Sequence, residues 1–409
     1  MMNMTKYDKI IEMIDSGGLI RFAQDLIRIR SVYDPDKEGA NEYETARFIE
    51  AFLKKEGIEV HFQEVVPGRP NVIGIINGIN KGKTILFEGH TDVVTEGDPD
   101  EWQHDPFGAE IADGKIFGRG ACDTKGNVAA AIFAAKAIKD SGTAFNGCIL
   151  LCIPCDEEGM MIGIKDFIAQ GWADHTDGAI ICEPEENQLC ILQKGAMRIE
   201  ISITGKQSHG AMPLTGINPN WRLARLISRL ERLEAEEKER IGVHEYLGWP
   251  SITPTIIRSP AKGEAQINVV PGEAYMALDI RTVPGQEHAV LADRIEEIFK
   301  ELGEEDPDFR GSFRIIEERP WTETFRNDPI VTSVAKAYRD VTGNDPVFNG
   351  VPGATDGTFL SALKNIPVVV TGAGNRLIPH HVDEYVEIEE LIEACRIYAL
   401  AAMNFLETN

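Results

Sequence analysis

The sequence lacks any long hydrophobic run, because none of its segments approaches the ~18 consecutive apolar residues of a membrane-spanning helix. The start, from Met1 to Lys6, contains no apolar signal core. Internal repeats and low-complexity tracts are also absent from the sequence. These absences favour a soluble cytoplasmic protein with no membrane partner.

Positive charge is scarce. The chain has 41 lysines and arginines against 66 aspartates and glutamates, a formal net charge of −25. Nucleic acids and anionic membranes attract basic surfaces, so this balance argues against both as partners. The simplest interpretation is a soluble, acidic cytosolic protein.

The cysteine pattern excludes a disulfide framework and a zinc ribbon. Seven cysteines, an odd number, are scattered through apolar segments, which is typical of reduced and buried thiols. Cys152 and Cys155 have the Cys-X-X-Cys spacing of redox-active pairs. A reactive thiolate is favoured at the start of a helix, whereas these two residues follow a predicted strand. A second pair with this spacing, which a zinc ribbon requires, is missing.

The 409 residues, 43% of them hydrophobic, predict two globular domains. Outside the central part of the chain, helical patterns alternate with fully apolar strands. The apolar strands are predicted at 72–76, 84–87, 148–153, 178–182 and 367–371. This alternation predicts an α/β domain whose mainly parallel sheet has helices on both faces.

The pattern changes near Gly195, where 198–203 alternates apolar and polar residues, as a half-exposed strand does. Further strands are predicted at 254–258, 266–270 and 274–281, and helices at 220–240 and 288–302. We therefore predict an inserted α+β domain at 195–316. The catalytic domain would comprise 1–194 and 317–409.

The motif His90-Thr91-Asp92 directly follows the apolar strand at 84–87. In open α/β sheets, ligands bind beyond the carboxyl ends of the strands. His90 can therefore be a metal ligand and Asp92 its orienting partner. The alternative is a structural histidine capped by a local carboxylate.

More carboxylates and histidines follow other predicted strands and turns. They are Asp123 in the glycine-rich turn 118–126, Glu157 and Glu158 after 148–153, Glu183 after 178–182, and His380 and His381 after 367–371. Adjacent carboxylates repel one another unless a cation or proton offsets them. Each segment alone is compatible with a structural role, but all of them at one sheet edge indicate a metal centre.

The number of ligands fits two metal ions. One ion would be held by His90 and Glu183, the other by His380 and Glu158, with Asp123 bridging them. Nitrogen and oxygen donors without a thiolate suit zinc, cobalt or manganese. Two such ions about 3.5–4 Å apart share a water whose pKa falls toward neutrality.

In this scheme Glu157 is not a metal ligand. A free carboxylate beside a metal-bridging water is the natural general base, so Glu157 is predicted to take the proton from that water.

These motifs resemble the dinuclear zinc amidohydrolase family that includes acetylornithine deacetylase, succinyl-diaminopimelate desuccinylase, aminoacylase and glutamate carboxypeptidase. The matching stretches span nearly the whole chain, at 89–94, 102–114, 118–126, 156–159, 182–184 and 380–384. The resemblance implies two divalent ions per chain, with zinc favoured. It also implies that Asp92 orients the metal ligand His90, and that His380 rather than His381 is the second histidine ligand.

The resemblance extends into the insert, where 208–213 is similar to the family's lid motif. It implies that His209 reaches the active site of a neighbouring subunit and stabilises the developing oxyanion. It also implies a homodimer that forms through the inserted domain, which would then be a lid and dimerisation domain. Without the resemblance, His209 would be an ordinary loop histidine.

Four further residues match family positions that contact the substrate: Asn268, Arg281, Gly353 and Thr355. Arg281 is suited to hold a carboxylate with two parallel hydrogen bonds. A salt bridge on the sheet face is the alternative for Arg281.

The resemblance implies a metal-dependent hydrolase that cleaves the amide bond of an N-acyl amino acid, a small molecule with a free carboxylate. A dipeptidase or carboxypeptidase is the alternative within the family. A catalytically inactive binding protein on this fold is disfavoured, because every expected ligand and Glu157 are present. The chain departs from the desuccinylase pattern at Ala196, Ala354 and Thr358.

Overall fold

The computed structural model describes residues 5–408. The chain divides into two compact units. Unit 1 comprises Met1–Ile191, Glu323–Gly350 and Thr355–Asn409, and unit 2 comprises Leu192–Thr322 and Val351–Ala354. Unit 2 therefore spans 192–322, slightly wider than the inserted domain expected at 195–316, and gains a short segment from later in the chain.

Within the described residues the α-helices are α1 (Lys6–Glu12), α2 (Ser16–Arg28), α3 (Tyr43–Lys55), α4 (Lys125–Asp140), α5 (Ile162–Ala169), α6 (Pro219–Ile241), α7 (His288–Glu305), α8 (Pro329–Thr342), α9 (Gly357–Lys364) and α10 (Ile388–Leu406). Two short 3₁₀ helices occur at Pro99–Glu101 and Pro213–Thr215. Local signals explain several ends. Asp328 caps α8 by accepting the N–H of Ile330, Pro329 opens the helix, and Gly343 ends it in a left-handed conformation.

The first nine strands are β1 (Glu59–Val66), β2 (Arg69–Asn77), β3 (Thr84–Glu88), β4 (Ile111–Ala112), β5 (Lys115–Phe117), β6 (Cys148–Ile153), β7 (Gly178–Ile181), β8 (Leu189–Gln193) and β9 (Gly195–Thr204). The others are β10 (Ser208–His209), β11 (Ser251–Arg258), β12 (Val269–Val270), β13 (Glu273–Thr282), β14 (Arg310–Arg319), β15 (Thr322–Glu323), β16 (Phe348–Val351), β17 (Val368–Val370) and β18 (Tyr385–Glu387).

The central sheet has the order β1-β2-β6-β3-β7-β17-β8-β15, and β16 pairs with β8. Its four neighbours β6, β3, β7 and β17 are mutually parallel. These strands are almost entirely buried, as parallel strands covered by helices are. The expected α/β fold with a mainly parallel central sheet is confirmed. The parallel arrangement brings the carboxyl ends of four strands to one edge.

The sheet of unit 2 has the order β11-β13-β9-β14 and is antiparallel. Alternate residues of β9 and β13 are buried, which matches their period-two pattern. The buried apolar side chains form one core with α6 and α7, which includes Ile199, Ile201, Leu226, Met276 and Ile295.

The expected strand at 266–270 is wrong in extent and in position. Only Val269–Val270 is a strand, and it pairs with Ser208–His209 outside the four-stranded sheet. Ile267 is fully exposed, so this apolar residue gives no evidence of a buried face. The fourth strand of the sheet is β14, whose register shifts between Ile315 and Glu317. That irregularity interrupts the alternation by which the sequence would have revealed the strand.

All seven cysteines lie in the described part of the chain and are free thiols, six of them buried. The expectation of buried cysteines is therefore confirmed for these six. Among residues 5–408, no helix is both long and apolar enough to cross a membrane.

Candidate metal centre

The predicted ligands arrive from neighbouring strands at one edge of the central sheet. His90 and Asp92 follow β3, Glu157 and Glu158 follow β6, and Glu183 follows β7. His380 follows β17 after a loop, and Asp123 comes from the turn that precedes α4. The strand order β6-β3-β7-β17 therefore gathers residues that are up to about three hundred positions apart in sequence.

Asp123 lies between two histidines. Its Oδ1 is 3.1 Å from His90 Nε2, and its Oδ2 is 3.5 Å from His380 Nε2. Each oxygen of one carboxylate thus faces a different imidazole. This is the arrangement that a bridging carboxylate requires.

Two glutamates complete the cluster. Glu183 Oε1 is 3.5 Å from His90 Nε2, and Glu158 Oε1 is 2.9 Å from His380 Nε2. Ligand atoms of His90, Asp123 and Glu158 all lie within 4.8 Å of one another. The structure therefore brings all five predicted ligands together in the pairs expected from the sequence.

The cluster contains more acidic side chains than basic ones. Burial raises the pKa of Glu183 well above its usual value, and the negative charge of Asp123 raises it further. Burial also raises the pKa of Glu157, with Glu158 adding to the effect. Burial lowers the pKa of His90, but Asp123 and Asp92 outweigh it and raise that pKa well above normal. Negative charge is in excess, so these residues fit a divalent cation, which would replace the protons they otherwise hold.

Asp92 has a wider structural role than the sequence indicated. Its Oδ1 accepts the N–H of Glu157 at 3.1 Å, and its Oδ2 accepts the N–H of Glu158 at 3.0 Å. His90 Nδ1 lies 2.9 Å from the backbone carbonyl of Asp92 and 3.5 Å from its carboxylate. The backbone carbonyl therefore orients the imidazole, while the carboxylate fixes the turn that carries Glu157 and Glu158.

Glu384 is a site residue whose function was not predicted. This fully buried side chain accepts the N–H groups of Gly120, Cys122 and Asp123, each at 3.0 Å, on Oε1. Its other oxygen accepts a hydrogen bond from Arg119. Glu384 therefore fixes the glycine-rich turn that presents Asp123. In the sequence it is only an acidic residue near His380, and nothing distinguishes it from an exposed one.

A model of peptidase family M20/M25/M40 matches residues 86–404. That range contains every residue of the metal centre. The chain belongs to this family. As a family member it is a metal-dependent hydrolase, which confirms the class of enzyme expected from the motifs.

The proteins that are similar to this M20 family member are named for different activities. A probable succinyl-diaminopimelate desuccinylase of Staphylococcus epidermidis is 27% identical over 95% of this chain and 98% of its own. An N-formyl-4-amino-5-aminomethyl-2-methylpyrimidine deformylase of Bacillus subtilis is 27% identical over 93% of this chain and 92% of its own. The M20 family metallo-carboxypeptidase Sso-CP2 of Sulfolobus solfataricus matches in structure with a TM-score of 0.78, at 21% identity over 96% and 99% of the two chains.

His209 and Asn268 are held together in unit 2. β10, which contains His209, pairs with β12, and the carbonyl of Asn268 accepts the N–H of Gly210 at 2.6 Å. The exposed His209 accepts the N–H of Ala211 on Nδ1 at 3.0 Å. An unprotonated Nδ1 leaves Nε2 as the N–H donor of the neutral ring.

The other three candidate substrate residues have different surroundings. Arg281 directs Nε and Nη2 at the carboxylate of Asp279, at 2.6 and 3.1 Å, as the salt-bridge alternative requires. Gly353 belongs to unit 2 and has open space around its Cα. Thr355 is buried in unit 1, where its carbonyl and hydroxyl accept the N–H groups of Thr358 and Gly357.

Proposed function

We propose that this chain is a dinuclear amidohydrolase that removes the acyl group from an N-acyl amino acid. The observation that supports this proposal most directly is that the two oxygens of the Asp123 carboxylate face two different histidines, His90 and His380. One ion would be held by His90 and Glu183 and the other by His380 and Glu158, with Asp123 bridging. Nitrogen and oxygen donors support zinc, with cobalt or manganese as alternatives.

When bound, the two ions would polarise the substrate carbonyl and make a water more acidic. Glu157 then takes a proton from the attacking water and passes it to the leaving nitrogen. Its position supports this role, because Asp92 holds its backbone N–H and its side chain has no hydrogen-bond donor among the described residues.

The names of the relatives support removal of an acyl group. A desuccinylase and a deformylase both release an acyl group from nitrogen, and both align over more than nine-tenths of this chain. Arg281 would bind the free carboxylate of the substrate by exchanging its bond to Asp279, and Asn268, Gly353 and Thr355 would complete the substrate contacts. The net charge of −25 supports a small-molecule substrate over nucleic acid. Free, buried thiols support a reducing compartment such as the cytoplasm.

A substrate panel tests this proposal. Chelator-treated protein would be reconstituted with Zn²⁺, Co²⁺ or Mn²⁺ and assayed on N-acetyl, N-formyl and N-succinyl amino acids and on dipeptides. We expect metal-dependent release of the acyl group, and two ions per chain by elemental analysis. Turnover of dipeptides alone would make the enzyme a peptidase, the alternative within the family. A single ion in fully active protein would refute the dinuclear scheme.

We further propose that the protein is a homodimer formed through unit 2. β11 lies at one edge of its sheet, and Ile257 on β11 and Trp221 on α6 are 55% and 71% exposed. An exposed, apolar edge strand is a surface suited to pairing with a second copy. His209, with Nε2–H as its free donor, would then stabilise the oxyanion in the partner's site.

Subunit mixing tests the role of His209. His209→Ala should lower kcat by ~10²–10³-fold, the usual cost of losing one oxyanion donor, with metal content unchanged. Mixing this variant with Glu157→Gln should restore activity, because one site of each heterodimer combines an intact Glu157 with the partner's His209. No recovery after verified subunit exchange would mean that His209 does not act across the dimer.

A further inference from the structure

A buried ionic network lies beneath the turn that carries Glu157 and Glu158. Arg69, the first residue of β2, is 5% exposed, and its two carboxylate partners Glu42 and Asp156 are 0% and 5% exposed. Arg69 Nε lies 3.1 and 2.9 Å from the two oxygens of Glu42, and Nη2 lies 2.7 Å from Asp156 Oδ1. One guanidinium therefore joins two buried carboxylates.

Asp156 closes the turn itself. Its Oδ2 accepts the N–H groups of Met160 at 2.9 Å and Ile162 at 3.3 Å, while Oδ1 faces Arg69. Its φ of 68° is a left-handed conformation that a non-glycine residue rarely adopts. This conformation needs support from its surroundings, and Arg69 supplies that support.

β2 holds the same segment at a second residue. Asn71 accepts the N–H of Cys155 at 3.2 Å and donates to the carbonyl of Gly163 at 2.8 Å. Cys155 and Gly163 flank the turn on either side. The amino end of β2 therefore binds the turn at its start, through Asp156, and at both flanks, through Asn71.

Only an arginine has the geometry for this network. Its planar fork can meet Glu42 with two hydrogen bonds and still reach Asp156, whereas the ammonium of a lysine is a single point of charge. The ring of Tyr33 lies over the guanidinium, with its centroid 3.6 Å from the central carbon, and restricts its position.

We propose that Arg69 is a positioning residue for hydrolysis, which directs Glu157 and Glu158 by holding Asp156 against Glu42. The proposal rests on the roles of Glu157 and Glu158 given above. Arg69 makes no direct contact with Glu157 or Glu158; it acts through the backbone of the turn that carries them.

The test compares Arg69→Lys with a matched control, Arg222→Lys. Arg222 is also a largely buried arginine with several partners, the carbonyls of Asn218 and Asp308 and the carboxylate of Asp306, but it lies in unit 2. Arg69→Lys should lower kcat and the affinity for one of two Zn²⁺ ions by about 10–100-fold each, with KM unchanged. Arg222→Lys should change neither quantity, although both variants lose stability.

Asp156→Asn provides a second route to the same result. Asparagine tolerates a left-handed conformation and keeps one acceptor oxygen, so this variant should fold. Its losses of kcat and Zn²⁺ affinity should match those of Arg69→Lys, and the double variant should be no worse than either single one, because both act through one contact. Additive losses, or reduced stability with unchanged kcat and Zn²⁺ affinity, would overturn the proposal.

The Zn²⁺ measurement also separates this proposal from the proposed function. Equilibrium dialysis of wild type and variants against buffered Zn²⁺ needs no substrate. An enzyme inactive on every acyl amino acid would refute the proposed substrate class. Equal Zn²⁺ affinity in wild type and Arg69→Lys would refute the positioning role.

Discussion

Replacing Asp92 by asparagine should separate the orientation of His90 from that of Glu157. The carboxylate of Asp92 accepts the N–H groups of Glu157 and Glu158, while the backbone carbonyl holds Nδ1 of His90. Asp92→Asn keeps the carbonyl and one acceptor oxygen. The other oxygen becomes an NH₂ group that faces a backbone N–H, which is left without a partner.

The magnitude follows from these bonds. A hydrogen bond to a charged group contributes about 1.5–3 kcal/mol, and an unsatisfied buried donor costs about 1–3 kcal/mol. Losing one such bond and weakening the other should lower the free energy of unfolding by about 2–4 kcal/mol. Displacement of Glu157 should lower kcat by about 10²-fold. Metal affinity should fall by only about 10-fold, because the carbonyl still orients His90.

Chelator-treated protein at several pH values would be unfolded in urea to measure this cost. Burial raises the pKa of Asp92, but His90 and the two backbone N–H groups outweigh it and lower that pKa below the ordinary 3.8. A depressed pKa adds stability above the unfolded value that is lost as the pH falls. The cost of Asp92→Asn should therefore be largest at neutral pH and shrink below about pH 4.

The control is Asp328→Asn, which also removes a carboxylate bound to a backbone N–H, that of Ile330 at the start of α8. Asparagine caps helices as well as aspartate does, so stability should be almost unchanged. If Asp92→Asn is as mild as this control, its carboxylate does not support the turn. If metal affinity falls far more than kcat, the carboxylate and not the carbonyl orients His90.

Two further predictions concern the proton balance of the site. Glu157→Gln should lower kcat by ~10²–10⁴-fold at unchanged metal content, since the amide cannot accept a proton; an active variant would show that Glu157 is not the base. Asp123 and Glu158 raise the pKa of His380 to about 10 in the metal-free protein, so metal binding at pH 8 should release this proton, and affinity should rise with pH up to about 10. Calorimetry in two buffers of different ionisation enthalpy measures the release, and His380→Ala should lose both that proton and one ion; an unchanged release would contradict the assignment.

Much of the fold and the metal centre could be predicted because strand ends of a parallel sheet lie at one edge. The apolar strands at 84–87, 148–153 and 178–182 were recognisable, and each is followed by an acidic residue or a histidine. The structure confirms these strands as β3, β6 and β7. Because β3 and β7 are neighbours in the sheet, the residues that follow them, His90 and Glu183, lie close together.

The insert was harder to predict because alternation alone does not distinguish a strand from an exposed loop. The segment 266–270 alternates apolar and polar residues, yet only its last two form a strand. β14 lacks clear alternation because of the register shift near Ile315. Its place in the sheet depends on pairing with β9, more than a hundred residues earlier, which no local pattern records.

Buried charges were the least predictable feature, because a sequence does not distinguish a buried carboxylate from an exposed one. Seven carboxylates of this site fall into two groups, according to whether they accept hydrogen bonds from backbone N–H groups. Asp92, Asp156 and Glu384 each accept two or three backbone N–H groups. Among the described residues, the side chains of Asp123, Glu157, Glu158 and Glu183 accept none; they face histidines or one another.

This division has a chemical reason. Backbone N–H groups satisfy the hydrogen-bonding capacity of a carboxylate and hold it in place. A carboxylate without such donors keeps its oxygen atoms available for a metal ion or a proton. Carboxylates of the first kind hold the turns that present three of the four reactive ones. Glu384 accepts backbone N–H groups of the turn that carries Asp123, and Asp92 and Asp156 accept those of the turn that carries Glu157 and Glu158. The supporting carboxylates fix the backbone, so that the reactive ones remain free for metal ions and for the proton of the attacking water.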